Sequence, residues 1–149
     1  MMMERLALSY LRRAESRLIV ARTALKRRSH PDAVRYSQEA VEMALKGVLR
    51  AVGIEYPRSH EVSTILFAER QRLPSEVSEK LEELARISSE LYDARGPAMY
   101  GDEESGTPPE EIFSQDDAAR FVQDAESVIK VCRSAFAGLG TEPEGERRP

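Results

Sequence analysis

Ala7, Leu11, Ala14, Leu18, Ala21 and Leu25 follow one another at alternating spacings of four and three. That rhythm returns a side chain to the same side of an α-helix at every turn, giving a seam that has to close against a neighbour. It predicts a helix over about residues 3–28. Ser29, His30, Pro31 and Asp32 break the rhythm. Proline is excluded from helix interiors but suits a first turn, so a tight turn into a second, antiparallel helix is expected.

The second helix is expected over about 31–52, with Ala33, Tyr36, Ala40, Ala44, Val48 and Val52 on one side and Val41, Leu45 and Leu49 widening the stripe. Gly53 is a left-handed cap and Pro57 prevents immediate re-entry. Ser59 is the expected N-cap of a short helix over about 60–70, carrying Val62, Ile65 and Leu66. Pro74 and Ser75 open another long helix, whose inward residues Val77, Leu81, Leu84, Ile87, Leu91 and Tyr92 lead to about Arg95. Between Gly96 and Phe113 come Gly96, Pro97, Gly101, Gly106, Pro108 and Pro109 among acidic residues, which predicts a loop. Structureless connections of that length are uncommon in small domains and are often functional. Ser114 followed by Asp117 is a capping-box start for the last helix, with Ala118, Phe121, Val122, Ala125, Val128, Ile129 and Cys132 inward, to about Ala137.

No segment alternates with period two, so no sheet is expected. These elements make an all-α, antiparallel four-helix up-and-down bundle with an additional short helix. It is one domain over residues 1–137, followed by a disordered tail over 138–149 that contains Gly138, Gly140, Pro143, Gly145 and Pro149.

Composition removes several function classes. The apolar fraction of 41% is ordinary, and no run approaches the ~18 apolar residues of a membrane span. Arg5, Arg12 and Arg13 interrupt the N-terminal apolar residues, so no signal peptide is expected and the chain reads as soluble and cytoplasmic. Cys132 is the only cysteine, a small apolar residue on a helix, and His30 and His60 belong to no metal motif. Neither a metal nor a cofactor is expected. Trp and Asn are missing, as in some heat-adapted proteins, which points to a thermophilic source.

The net charge is −4, unevenly spread: residues 1–29 carry eight basic side chains against Glu4 and Glu15. This basic helix reads either as a solvated face drawn to the acidic helices or as a patch for RNA phosphates or an acidic partner. In the second helix Gln38, Glu42 and Lys46 stand at i, i+4 and i+8. They read as a surface ladder of favourable orientation, worth ~0.2–0.5 kcal/mol per pair, or as a polar row in a groove that orders a neighbouring side chain or ligand.

The run Ser37-Gln38-Glu39-Ala40-Val41-Glu42-Met43-Ala44-Leu45-Lys46-Gly47-Val48-Leu49, then Gly53 and Pro57-Arg58-Ser59-His60, resembles the signature of HEPN domains. The resemblance continues through Ala94-Arg95 and Tyr100-Gly101-Asp102 to Phe113-Ser114-Gln115-Asp116-Asp117-Ala118, covering about residues 3–135. It implies a helical bundle, frequent homodimers, and partnership with a minimal nucleotidyltransferase in two-component, toxin–antitoxin-like systems. In many members an Arg-x(4–6)-His motif performs metal-independent RNA cleavage. The histidine handles the 2′-hydroxyl proton and the arginine stabilises the phosphorane.

Here Arg95 stands at the arginine position, but four residues separate it from Tyr100 and no histidine occurs after His60. A phenol is a poor base at neutral pH, though it can donate a hydrogen bond or stack on a nucleobase. The implied catalytic positions are Arg95 and Tyr100, and the implied nucleotide- or phosphate-binding positions are Gln38, Glu42, Lys46, His60, Arg95 and Asp102. The bland alternatives are that Arg95 caps the helix end over a packed Tyr100 or ion-pairs with Asp93 or Asp102, and that His60 is a buried or capping residue. Three functions follow: a nucleotide- or RNA-binding HEPN protein with a degenerate motif, an active ribonuclease toxin, or a dimeric interaction module.

Overall fold

In the computed structural model, which describes residues 2–56, 58 and 61–140, the first apolar seam forms helix α1 (Met2–Lys26). Ala7, Leu11, Ala14, Leu18 and Ala21 are all buried, whereas at the end of the seam Ala24 takes the inward place and Leu25 is half-buried. Arg28 sits in the left-handed region at φ 61°, and the Ser29 N–H reaches the Ala24 carbonyl at 2.9 Å. That 6→1 bond is a Schellman closure made without its usual glycine.

Helix α2 (His30–Ala51) follows, with Pro31 in its first turn as expected. Then come α3 (Ser63–Ala68), a 3₁₀ turn at Arg70–Arg72, α4 (Ser75–Ser78), α5 (Leu81–Tyr100), α6 (Pro109–Ile112) and α7 (Gln115–Leu139). The fold is all-α, and among the described residues the only β-pairing is one isolated bridge between Asp102 and Thr107.

Side-chain pairs fix the directions of the long helices. Arg22 meets Glu126 and Arg133 meets Glu15, so a step of seven along α1 matches an opposite step of seven along α7. Glu90 bonds Arg120, and Arg86 acts on Asp124, which sets α5 antiparallel to α7. His30 bonds Gln115 and Gly47 lies against Phe136, so α2 runs parallel to α7. Helices α1 and α5 thus point one way, α2 and α7 the other.

Helix α2 packs on α1, α5 and α7 together. Consequently its burial is no single stripe: every residue from Ala44 to Leu49 is buried, Lys46 included, while the expected inward residues Tyr36 and Val52 are only half-buried. The α1–α2 crossing is close because Gly47 has no side chain. A Cβ there would sit 3.2 Å from both the Ala7 carbonyl oxygen and the Tyr10 Cβ.

Three expectations are corrected. The helix foreseen from Pro74 is interrupted, α4 ending at Ser78 and α5 starting at Leu81, and further short helical pieces appear beside α3. Its expected inward Tyr92 is 40% exposed. The segment read as loop from Gly96 is helical to Tyr100, because buried Ala94 and Ala98 hold α5 on the core through Pro97 and outweigh the loss of that residue's helical hydrogen bond. Only residues 101–108 connect α5 to α6. Finally, α7 runs to Leu139 and ends on left-handed Gly140, past the expected Ala137, while 141–149 of the expected tail lie outside the described residues. Its start is as read: Ser114 Oγ accepts from the Asp117 N–H, and the Asp117 carboxylate accepts from the Ser114 N–H.

Candidate functional site

The polar row of α2 is assembled inside the helix packing. Gln38 Nε2 donates to Glu42 Oε1 at 2.9 Å, and Lys46 Nζ donates to Glu42 Oε2 at 2.8 Å. Gln38 is 2% exposed and Lys46 8%, so the exposed-ladder reading is replaced by a buried, charge-assisted one. Gln38 Oε1 and Ser37 Oγ are buried without a hydrogen-bond partner among the described residues.

At its C-terminal end the row runs into aromatic rings. Lys46 Nζ lies 5.3 Å from the Tyr56 ring centroid, within cation–π range. The Tyr56 hydroxyl hydrogen-bonds the Tyr10 oxygen, lowering the Tyr10 pKa, which Arg50, Arg13 and Lys46 lower further by their charge. Burial and that same bond push Tyr56 up to about 12. Two guanidiniums approach the Tyr10 ring, Arg13 at 4.7 Å and Arg50 at 6.0 Å from its centroid.

Arg95 and Tyr100 lie on α5. Because the helix continues between them, an offset of five positions turns them roughly 140° apart about its axis. They do not converge. Tyr100 is 65% exposed, so it is not packed under the loop. Arg95 is half-buried and makes no ion pair or hydrogen bond among the described residues, which removes the expected pairing with Asp93 or Asp102. The Asp102 carboxylate is committed to its own loop, where Oδ1 accepts from the Glu104 N–H at 3.1 Å and, more weakly, from the Ser105 N–H at 3.4 Å. Beside it a cavity of about 540 Å³ is lined by Pro97, Gly101, Asp102, Glu103, Glu104, Thr107 and Ile112, an acidic wall unsuited to phosphate. His60 lies outside the described residues.

The helix register separates these groups. Extending the α5–α7 pairing sets Arg95 level with Gln115, and Gln115 is bonded to His30 at the start of α2. Lys46 and Arg50 lie 16 and 20 residues further along α2, or roughly 24 and 30 Å at 1.5 Å per residue. The Arg95 end and the Lys46 end are therefore opposite ends of the helix stack. Sequence reasoning passed over Tyr10, Arg50 and Tyr56, counted Arg13 only within the basic first helix, and set aside His30, whose level beside Arg95 only the register reveals. The basic face of α1 divides likewise: Arg17 pairs with Glu39 and Arg22 with Glu126, while Arg13 faces a ring.

Among the described residues, no cluster of three or more potential metal ligands occurs and no helix is long and apolar enough to cross a membrane. No solved structure matches the chain. A protein of Methanocaldococcus jannaschii named "Putative toxin MJ1304" is 32% identical over 128 residues, spanning 83% of this chain and 84% of the relative. The model of the HEPN domain family matches residues 7–135, from the first seam residue Ala7 to buried Ala135. With an all-α fold and a family match over nearly its whole helical length, the chain belongs to the HEPN domain family.

Proposed function

We propose that this chain is the toxin-side member of a two-component pair. It is a homodimeric HEPN protein that binds RNA or a nucleotide around Arg95 and works with a minimal nucleotidyltransferase partner, without the family's usual RNA cleavage. The toxin-like role draws support from the family match and from the name of the archaeal relative. The observation that carries the binding reading is the Arg95 guanidinium. It is half-buried at the end of α5, with no carboxylate or carbonyl among the described residues to satisfy it. A guanidinium that no internal carboxylate neutralises keeps its fork of donors available to phosphate.

The reading without cleavage draws its support from helix geometry. Tyr100 stands where the motif has histidine, and its position on the same helix turns it away from Arg95. A proton-transfer group and a phosphorane-stabilising cation must reach the same phosphate. Incubating the protein with total RNA, beside Arg95→Ala, tests this: RNA is expected to stay intact with both proteins. Robust cleavage that the substitution abolishes would overturn the reading in favour of an active ribonuclease toxin.

A further inference from the structure

We propose a second binding site, for a phosphate-bearing ligand, where α1 meets α2 and the start of the following segment, built from Arg13, Arg50, Lys46, Tyr10 and Tyr56. It is independent of the Arg95 reading, lying roughly 30 Å away along the helix stack by the 1.5 Å rise per residue.

Three observations converge. First, Arg13 and Arg50 flank one ring, at 4.7 and 6.0 Å from the Tyr10 centroid, and among the described residues neither has a carboxylate within ion-pair distance. Two like charges beside one π-face repel each other, and the ring's quadrupole compensates only part of that. Their neighbours on α1 show what this fold does with an arginine it needs only for structure: Arg17 and Arg22 each receive a glutamate. Second, Arg50 Nε is buried without an acceptor among the described residues. A buried charged donor left unsatisfied is unfavourable, and an incoming anionic oxygen removes the deficit. Third, the charges that lower the Tyr10 pKa are those of Arg50, Arg13 and Lys46, three cations around one ring, while the nearby Glu42 is already bonded to Lys46. The local field therefore favours an anion.

The chemistry selects phosphate over a single carboxylate. Two guanidinium forks beside one ring call for several oxygens on one centre, and the Tyr10 hydroxyl adds a donor. Gly47 lets α1 approach α2 closely enough for Arg50 to reach the Tyr10 ring.

The test uses the full chain and two probes, adenosine monophosphate followed by calorimetry and a short fluorescein-labelled single-stranded RNA followed by anisotropy, both at low salt. Variants are R13Q, R50Q and R95A, each checked by far-ultraviolet circular dichroism. Arg13 is exposed, so R13Q keeps the test valid should R50Q fold poorly. At least tenfold weaker binding of either probe in R13Q, matched in any folded R50Q, is expected whatever R95A does. Loss with the mononucleotide identifies a free nucleotide as the source of the phosphate; loss confined to RNA identifies the phosphodiester backbone. Absence of binding by the native protein, unchanged affinity in R13Q, or equal competition by a poly-glutamate peptide would overturn the proposal. Loss in R95A alone would overturn it while leaving the Arg95 reading standing.

Discussion

His30 Nε2 and Gln115 Oε1 lie 2.7 Å apart and join the first turn of α2 to the first turn of α7. That contact sets the parallel register of the two helices and brings the Arg95 end of α5 level with them. The bond is exposed, so its net worth is small: His30→Ala is expected to lower stability by about 0.5–1 kcal/mol in urea unfolding.

Lys46 and Glu42 form an ion pair inside the packing, with side chains 10% and 15% exposed. Removing one partner leaves the other charged and poorly hydrated. Lys46→Met is expected to destabilise the protein by about 3 kcal/mol, far beyond the few tenths that a surface i,i+4 pair is worth. Chemical denaturation of the single variant and of the double variant with Glu42→Leu checks it, the double variant recovering most of the loss.

Gly101 holds φ +68°, and a Cβ there would stand 2.2 Å from the Thr107 carbonyl oxygen. Gly101→Ala should therefore open the Asp102–Thr107 turn and lower stability by roughly 1–3 kcal/mol, read as a fall in thermal midpoint. Arg28 is the converse case, a side chain in the left-handed region where glycine is preferred. Arg28→Gly should raise stability by up to about 1 kcal/mol.

Burial pushes the Cys132 thiol up to about 12. The native protein is expected to resist thiol-disulfide reagents at mildly alkaline pH and to react only after denaturation. Rapid labelling of the folded protein would contradict the packing of α7.

Tyr56 is raised to about 12 and Tyr10 is lowered. A raised acid holds its proton more tightly in the folded state. Its contribution is thus complete below the ordinary phenol value and fades as pH climbs from about 10 towards 12. Tyr10 acts oppositely, releasing its proton first in the folded state. Spectrophotometric titration should show one phenol ionising early and one late, and Tyr56→Phe should erase the late step and return Tyr10 towards its ordinary value.

The helices that repeat an apolar side chain each turn were legible in the sequence. Ala7 to Ala21 read directly as α1, and Ser114 with Asp117 marked the start of α7. Pro97 misled, because local preference ends a helix there while burial of Ala94 and Ala98 carries α5 onward. Lys46 misled for a related reason: heptad logic gives each helix one inward face, but α2 is covered on three sides. Among the candidate residues, Gln38, Glu42 and Lys46 proved contiguous, whereas Arg95 and Tyr100 diverge and Asp102 serves its loop. The meeting of Tyr10 with Arg50 could not be read from positions forty residues apart. The one hint was Gly47, a glycine inside a helical apolar stripe, which marks a close helix approach.

The binding role of Arg95 is tested most directly by measuring the affinity of labelled single-stranded RNA for the native protein and for Arg95→Ala over a range of salt concentrations. Loss of one phosphate contact should weaken binding about tenfold at low salt and make the salt slope shallower by about 0.7, the single-strand value per contact. Coincident affinities and slopes for the two proteins would contradict it.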